Sequence, residues 1–489
     1  MSRQTTPYLR QRLPLFATII MAAALAGCAK LGPQPDSVQP VATDWANRGA
    51  VHRAPSVDPA QWWKAFDEPV LDALVAQTLE QNLTLLQACN RLQAARALVR
   101  TAAAQRLPQV DASAEGRRQK RLSGRAESDF ERTPEDDLQS PSGSRASSYF
   151  QAGFDASWEL DLFGRLAATE EAARATAGSV LAESRMARVS VVAEVVRSYI
   201  ELRSGQRRLA LQRENLKDQN HLVAMTRDRR AAGIVGDLDI DRSLTTASET
   251  AAQLPLLEQS IQQSAQRIAV LTGKTTIDSN LLKPMPQPVA ERLALRVLPA
   301  DLVRVRPEIQ RAERLIAQAS AELGIAVADL YPRMTLVGSI TAKGDLIGTP
   351  LAERATNASA GLSIHIPLLD WGARRAVVSA REASLTESIF AYRLAVLEGI
   401  EDTENALTAI DVGRRKAMEE EIHLAAAQRT ASHADTLYQR GITDLLDRLD
   451  AAKALREAQL SSADVVEQQA LAVVALYKAV GGASLEPVQ

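Results

Sequence analysis

Three glycine-centred breaks recur at one spacing in this 489-residue chain. Phe163-Gly164 returns as Trp371-Gly372, Gly233 as Gly441 and Gly273 as Gly481, each pair 208 residues apart. Leu107-Pro108 returns as Tyr331-Pro332 at a spacing of 224. One spacing held across about 110 residues marks an internal duplication, so the chain must fold as two copies of one plan. The first copy exceeds the second by 16 residues, the difference between 224 and 208. That surplus falls in a polar loop, where insertions are tolerated.

Each copy contains a very long helical run. From Gly164 to Ala232 there is no proline, and only Gly178 and Gly205 interrupt. At 1.5 Å per residue such a helix is about 100 Å long, well beyond an ordinary globular helix. Val195, Leu202, Leu209, Leu216 and Val223 form a heptad seam on it. After the break at Gly233 the return arm carries Leu254, Leu257, Ile261, Ser264, Ile268 and Leu271 at compatible spacing. Seams with a seven-residue repeat predict an antiparallel helical hairpin wrapped as a coiled coil. Pro255 lies inside the return arm and predicts a kink or local break. The second copy repeats the plan, proline-free from Gly372 to Arg440 and turning at Leu437–Lys453. There Gly441 stops the incoming helix, since glycine takes a positive φ without a Cβ clash. Thr443 or Asp444 can cap the next one.

Before each long helix lie two segments of strict alternation. Val110–Glu115 and Tyr149–Glu159 form the first pair, Arg333–Lys343 and Ala358–Ile366 the second. Phe150, Ala152, Phe154, Ala156 and Trp158 share one face in the first pair; Met334, Leu336, Gly338 and Ile340 do so in the second. Two alternating strands joined by a polar loop predict a hairpin, either half-buried in a soluble protein or set in an outer-membrane barrel. A charged loop from Arg117 to Gln139 joins the first pair.

The start of the chain bears on that choice. Arg3, Arg10 and Arg12 precede a short apolar run, Leu13–Ala24, and then Leu25-Ala26-Gly27-Cys28. The run is short for a membrane span and reads as a signal peptide, residues 1–27. Its end resembles the bacterial lipobox, which implies a lipid-modified Cys28 at the head of a tether, 28–61. Ala29 in place of Asp favours transfer to the outer membrane. Cys89, the second cysteine, reads as a small buried hydrophobe. The five histidines are scattered without ligand spacing, and no phosphate loop or nucleophile elbow occurs,. Neither an enzyme nor a metal site is expected. A net charge of -2 gives no electrostatic pull toward nucleic acid,.

In order along the chain stand Trp62-Trp63 with Phe66 and Pro69, Asn82-Leu-Thr-Leu, Trp158-Glu-Leu-Asp-Leu-Phe-Gly164-Arg165, Arg306-Pro307-Glu308-Ile309, Pro367-Leu-Leu-Asp-Trp-Gly372 and Tyr438-x-x-Gly441. With the lipobox and the duplication, this series resembles the outer-membrane factor (TolC-like) family, in its lipoprotein efflux-channel (NodT/OprM-type) branch. The resemblance covers essentially all of the mature chain. It implies a mostly α fold with a transmembrane β-barrel, in which a homotrimer closes a 12-strand β-barrel and a 12-helix periplasmic α-barrel. The copies are then 62–273, with a β-hairpin at 108–160 and a helical hairpin at 164–273, and 301–481, with corresponding parts at 332–368 and 372–481. A Pro-rich connector, 274–300, joins them, and 482–489 is a tail.

The function so implied is an outer-membrane exit channel of a tripartite efflux system in a Gram-negative cell. It would take drugs or toxic small molecules passively from a periplasmic adaptor and an inner-membrane pump, with no cofactor beyond the lipid on Cys28. The resemblance also places a periplasmic gate at Leu446 and Asp450, with Arg242, Lys453 and Asp447 as candidate partners and Gly233 and Gly441 at the hairpin turns. Gln439 and Lys453 depart from the arginines frequent in the family. Two alternatives remain open at this stage, a pore-less lipid-anchored periplasmic coiled-coil protein and an exit channel for exported protein. Asp444 and Asp447 also have a plain reading as helix N-terminal residues.

Overall fold

Every boundary of the duplication reappears as a helix end in the computed structural model, which describes residues 59–120, 146–289, 305–345 and 355–482. The expected signal peptide, Cys28, nearly all of the tether and the end of the connector lie outside the described residues. A short 3-10 segment, Pro59–Phe66, leads into α1 (Pro69–Gln81) and α2 (Leu83–Ala104). Then come β1 (Gln109–Lys120), β2 (Ala146–Leu160), α3 (Arg165–Ala231) and α4 (Asp237–Leu271). The second copy runs α5 (Pro307–Ala328), β3 (Arg333–Asp345), β4 (Ala355–His365), α6 (Ala373–Gln439) and α7 (Leu445–Ala479).

The copies match residue for residue. α3 and α6 both have 67 residues, α4 and α7 both 35, and all four ends are displaced by 208. α2 and α5 both have 22, displaced by 224. Local chemistry sets these ends. At Gly233 (φ 73°) the amides of Gly233 and Ile234 donate to Arg230 and Arg229 carbonyls; at Gly441 (φ 73°) those of Gly441 and Ile442 donate to Tyr438 and Leu437. Both are Schellman motifs, which need the left-handed conformation that glycine adopts without strain. At the other end, Asp161 accepts from the amides of Leu166 (3.0 Å) and Ala167 (2.7 Å), opening α3. Asp370 accepts from Gly372 (3.0 Å) and Arg374 (3.2 Å), opening α6.

The chain divides into two compact units. One comprises Arg96–Ala175 and Ala317–Thr386 and holds a four-stranded antiparallel sheet in the order β1-β2-β3-β4. Arg117 and Arg118, expected in the loop, belong to β1 because the ladder continues to Tyr149 and Ser148 of β2. Strand-to-helix joints are tied by polar contacts. The Trp158 indole N–H donates to the Arg106 carbonyl (2.9 Å), and Arg165 grips Glu159 through two bonds (2.9 and 2.7 Å). Arg106 pairs with the largely buried Glu170 (2.8 Å).

The other unit comprises the described residues 59–95, Thr176–Ile316 and Glu387 onward. Its core joins Trp62, Trp63, Leu71 and Val75 to Val195, Tyr199 and Leu202 of α3, Ile261 and Ile268 of α4, and Tyr477 of α7. The predicted heptad seam is therefore buried at Val195, Leu202 and Val223. Trp62 stacks on Tyr477 with ring centroids 5.1 Å apart. α4 continues through Pro255 without the expected break. Pro255 and Ala251, whose carbonyl loses its usual donor, are both exposed, so water can satisfy that carbonyl,. Cys89 is half-buried rather than buried.

Candidate functional site: the sheet faces and the Gly441 hairpin

Alternation along each strand and the pairing between strands act together. Directly opposed residues of an antiparallel ladder share a face. One row across the sheet reads Ala112, Phe154, Ile340, Ala358, and the next reads Val110, Ala156, Gly338, Ala360. Trp158, Leu336 and Leu362 form a third. The intervening rows are polar: Asp111, Asp155, Ser339, Ser359, and then Ser113, Gly153, Thr341, Asn357. The Ser339 and Ser359 hydroxyls bond at 2.8 Å across β3 and β4. A register slip of one residue would mix the faces. Instead one face is apolar over four strands and stays uncovered, with Phe154 59% and Ile340 56% exposed. Water does not tolerate so large an apolar surface on a soluble monomer, whereas hydrocarbon matches it. Trp158 near the helix-proximal end fits an aromatic girdle. No helix among the described residues is long and apolar enough to cross a membrane.

The hairpin at Gly441 belongs to the other unit and is built around Tyr438. Tyr438, Leu222 and Leu445 form a small buried cluster against which Met225 and Leu449 pack. Two guanidinium groups approach the Tyr438 ring, Arg229 at 4.2 Å and Arg448 at 5.2 Å from its centroid. Arg229 also donates to the Tyr438 carbonyl (3.3 Å), and Arg448 pairs with Asp435 (2.6 Å). Gln439 donates to the other Asp435 oxygen (2.7 Å). Arg229 thus ties the first copy's hairpin to the second's. Sequence reading missed this cluster, because Arg229, Tyr438 and Arg448 follow no shared periodicity.

The residues named from the sequence sit around it. Gly233 and Gly441 close the two hairpin turns. Asp444 is the N-cap of α7 and accepts from the Asp447 amide (3.0 Å), while the Asp447 carboxylate accepts from the Thr443 hydroxyl. Leu446, Asp450 and Lys453 are exposed on one side of α7, which turns Leu445 and Leu449 inward. Lys453 lies 4.0 Å from Glu457. Arg242 is exposed on α4 and forms no ion pair with Asp450 inside the chain. In the first hairpin Arg230 pairs instead with Asp237 (2.7 Å), which holds the Asp237 carboxyl below its usual range.

The family model described as outer membrane efflux protein matches residues 74–274 and 298–482, one segment for each copy. The chain belongs to the outer membrane efflux protein family. Nodulation protein T of Rhizobium leguminosarum bv. trifolii is 32% identical over 96% of this chain and 97% of its own. Outer membrane protein OprJ of Pseudomonas aeruginosa is 28% identical over 96% of each. Among solved structures, the outer-membrane channel OprN superposes with a TM-score of 0.81 at 29% identity, covering 93% of this chain and 99% of that one. The family places this chain in the outer membrane as an efflux channel.

Proposed function

We propose that three copies of this chain form a passive exit duct through the outer membrane, the last stage of a tripartite efflux system. The apolar sheet face carries this reading, since it has no use in a pore-less coiled-coil protein. Twelve strands from three copies close a barrel without free edges, which satisfies every backbone group in lipid. The polar faces then line an aqueous lumen. Such a lumen passes cargo by size and charge and drives nothing, so a periplasmic adaptor and an inner-membrane pump supply energy. Small toxic molecules are the cargo class that fits the efflux relatives, among them a toluene efflux pump outer membrane protein of Pseudomonas putida. The protein needs no catalytic chemistry for this role. Lipid on Cys28 anchors the mature N-terminus, and replacement of Cys28 by Ser is expected to abolish palmitate labelling.

Leu446 and Asp450 form the periplasmic constriction in this reading. Both side chains are exposed on their own chain, so threefold symmetry can gather them around an axis. Three carboxylates brought together repel unless cations or donors compensate, and an Arg242 from a neighbouring copy is one such donor. Planar-bilayer recording tests the assignment. Asp450→Ala and Leu446→Ser are each expected to raise single-channel conductance several-fold over a nearly closed parent. Unchanged low conductance in both removes the gate from these residues. Recovery of the delipidated parent as a soluble monomer would instead favour the pore-less reading.

A further inference from the structure

In all four strands the even-numbered residues make the apolar face, since Val110 pairs with Ala156, Ala156 with Gly338 and Gly338 with Ala360. The charges of the strands keep almost entirely to the other face. Asp111, Glu115, Asp155, Glu159 and Asp345 all have odd numbers, as do Arg117, Arg333 and Lys343. The exceptions are Arg118 and Lys120, both cations and both at the loop end of β1. Arg118 stands opposite Ser148, one row past Gly116, Phe150 and Gly344. Its neighbour Arg117 lies 3.7 Å from Glu115 on the polar face. Arg118 is exposed and forms no ion pair among the described residues, and its face holds no carboxylate in any strand. The repeat does not call for these cations: 224 residues on, the equivalent positions are Ala342 and Gly344.

Strand geometry gives the depth. Trp158 and Phe150 are eight residues apart on β2, about 26 Å along the strand and about 20 Å across a membrane at a tilt near 40°. Arg118 lies one row further out, about 25 Å from the level of Trp158, which is the height of an outer-membrane apolar band. Trp158 is at the end joined to α2 and α3, so Arg118 is at the opposite margin. The Phe150 ring lies over Gly344, where a Cβ would come within 2.4 Å of it. Gly116 flanks it on the other side, with open space around it. The margin thus ends in a flat aromatic floor with a cation one row beyond.

We propose that Arg118, with Lys120 at the next position of its face, marks a binding site for the phosphorylated glycolipid of the outer leaflet. This rests on the channel reading above, which sets the apolar face in lipid and the loop end of the sheet outside. Position and charge choose the occupant. Acyl chains that lie against the rows of Ala112 and Ala114 bring their own headgroup to the level of Arg118. A guanidinium holds a phosphate through two parallel N–H donors, and no carboxylate on this face competes for it. Positions two apart on a strand are about 6.6 Å apart, which suits a headgroup with more than one phosphate. Free phosphate gains nothing from the apolar rows, and a zwitterionic phospholipid brings an ammonium that the cations repel. Charge at a strand end can also serve only to reach water or to guard an edge against wrong pairing. A glutamate meets either need as well as an arginine does. The exclusion of every carboxylate from this face therefore favours an anionic occupant.

Lipid retention by the intact oligomer tests the site. The full chain is extracted from outer membranes in mild detergent, purified bisphosphorylated lipid A is added as the probe, and bound lipid is read by native mass spectrometry. The parent is expected to keep about tenfold more lipid A through detergent exchange than Arg118→Gln combined with Lys120→Gln. Arg117→Gln, one residue away on the other face, should keep as much as the parent. Lipid A stripped of its phosphates should compete poorly, and phosphatidylglycerol at equal concentration should not take its place. Equal retention by the parent and the double variant overturns the site. So does an equal loss in Arg117→Gln, which makes it a general effect of charge. Preferential binding of phosphatidylglycerol or of inorganic phosphate overturns the occupant. Where the double variant fails to assemble, the parent decides. Bisphosphorylated lipid A should raise the oligomer's dissociation temperature and the dephosphorylated form should not, and equal effects of the two overturn the proposal. A parent recovered as a monomer that keeps no lipid of any kind overturns the channel reading itself.

Discussion

Arg203 is the largest fully buried side chain of the described residues, and no carboxylate touches it. Its guanidinium donates to the carbonyls of Leu281 (3.1 Å) and Lys283 (2.9 Å) and to Gln206 (2.8 Å). It also lies 4.8 Å from the centroid of the Tyr199 ring, whose hydroxyl bonds Glu68 at 3.2 Å. Backbone dipoles therefore replace water around the charge, and the start of the connector is held to α3 in return. Arg203→Ala removes the charge but costs the Leu281 and Lys283 carbonyls a donor and opens a cavity. A loss of about 3–5 kcal/mol is expected, read as a lower thermal midpoint in detergent. Arg203→Lys should recover little, because an ammonium cannot present the planar fork these acceptors use. An unchanged midpoint for Arg203→Ala would sink this account.

Among elements, α3 and α7 are joined by Arg208, which bonds Asp464 (2.6 Å) and Glu467. Both Glu467 and Arg208 hold their protons more tightly than usual. Burial pushes the Glu467 carboxyl above its ordinary value of 4.5, and Arg208 only partly offsets that. Arg208 is itself held more firmly protonated by Asp464 and Glu467 in spite of burial. A carboxyl whose native pKa is raised binds its proton more tightly in the folded chain, so folding gains from protonation. Relative to Glu467→Gln, the parent should therefore gain stability as pH falls from neutral toward the ordinary carboxylate range. The difference should be small, since the group is partly solvated. Thermal midpoints of both proteins between pH 7 and 4.5 give the comparison, and a difference that shrinks or reverses on acidification contradicts it.

For the whole molecule, the proposed channel sets the two faces of the sheet in different solvents. Ile340 and Thr341 are neighbours in β3 yet sit on opposite faces. Ile340→Arg places a charge in lipid, at about 2–4 kcal/mol per copy near the bilayer midplane, and is expected to abolish outer-membrane trimers. Thr341→Arg should assemble normally and shift conductance toward anions, since lumenal charge tunes selectivity. Equal tolerance of both substitutions, measured by heat-modifiable trimer yield, would contradict a lipid-facing sheet.

The amino-acid sequence by itself determined the elements and the duplication, because their markers are local. A glycine that closes a Schellman turn, an aspartate that caps a helix and a strict apolar–polar alternation each act within a few residues. Hence the ends of α3, α4, α6 and α7, the strand faces and the seam at Val195 and Leu202 were legible. Only the tertiary structure decided which distant groups meet. Arg229 and Arg448 both approach the Tyr438 ring, and Arg203 donates to connector carbonyls, although neither arrangement follows a period. Pro255 is harmless because its face points to water, a fact that belongs to packing. Phe163 and Trp371 occupy equivalent places in the repeat, yet one is stacked and the other bare. The first finds its partner, Tyr331, within the chain, and the second stands 91% exposed.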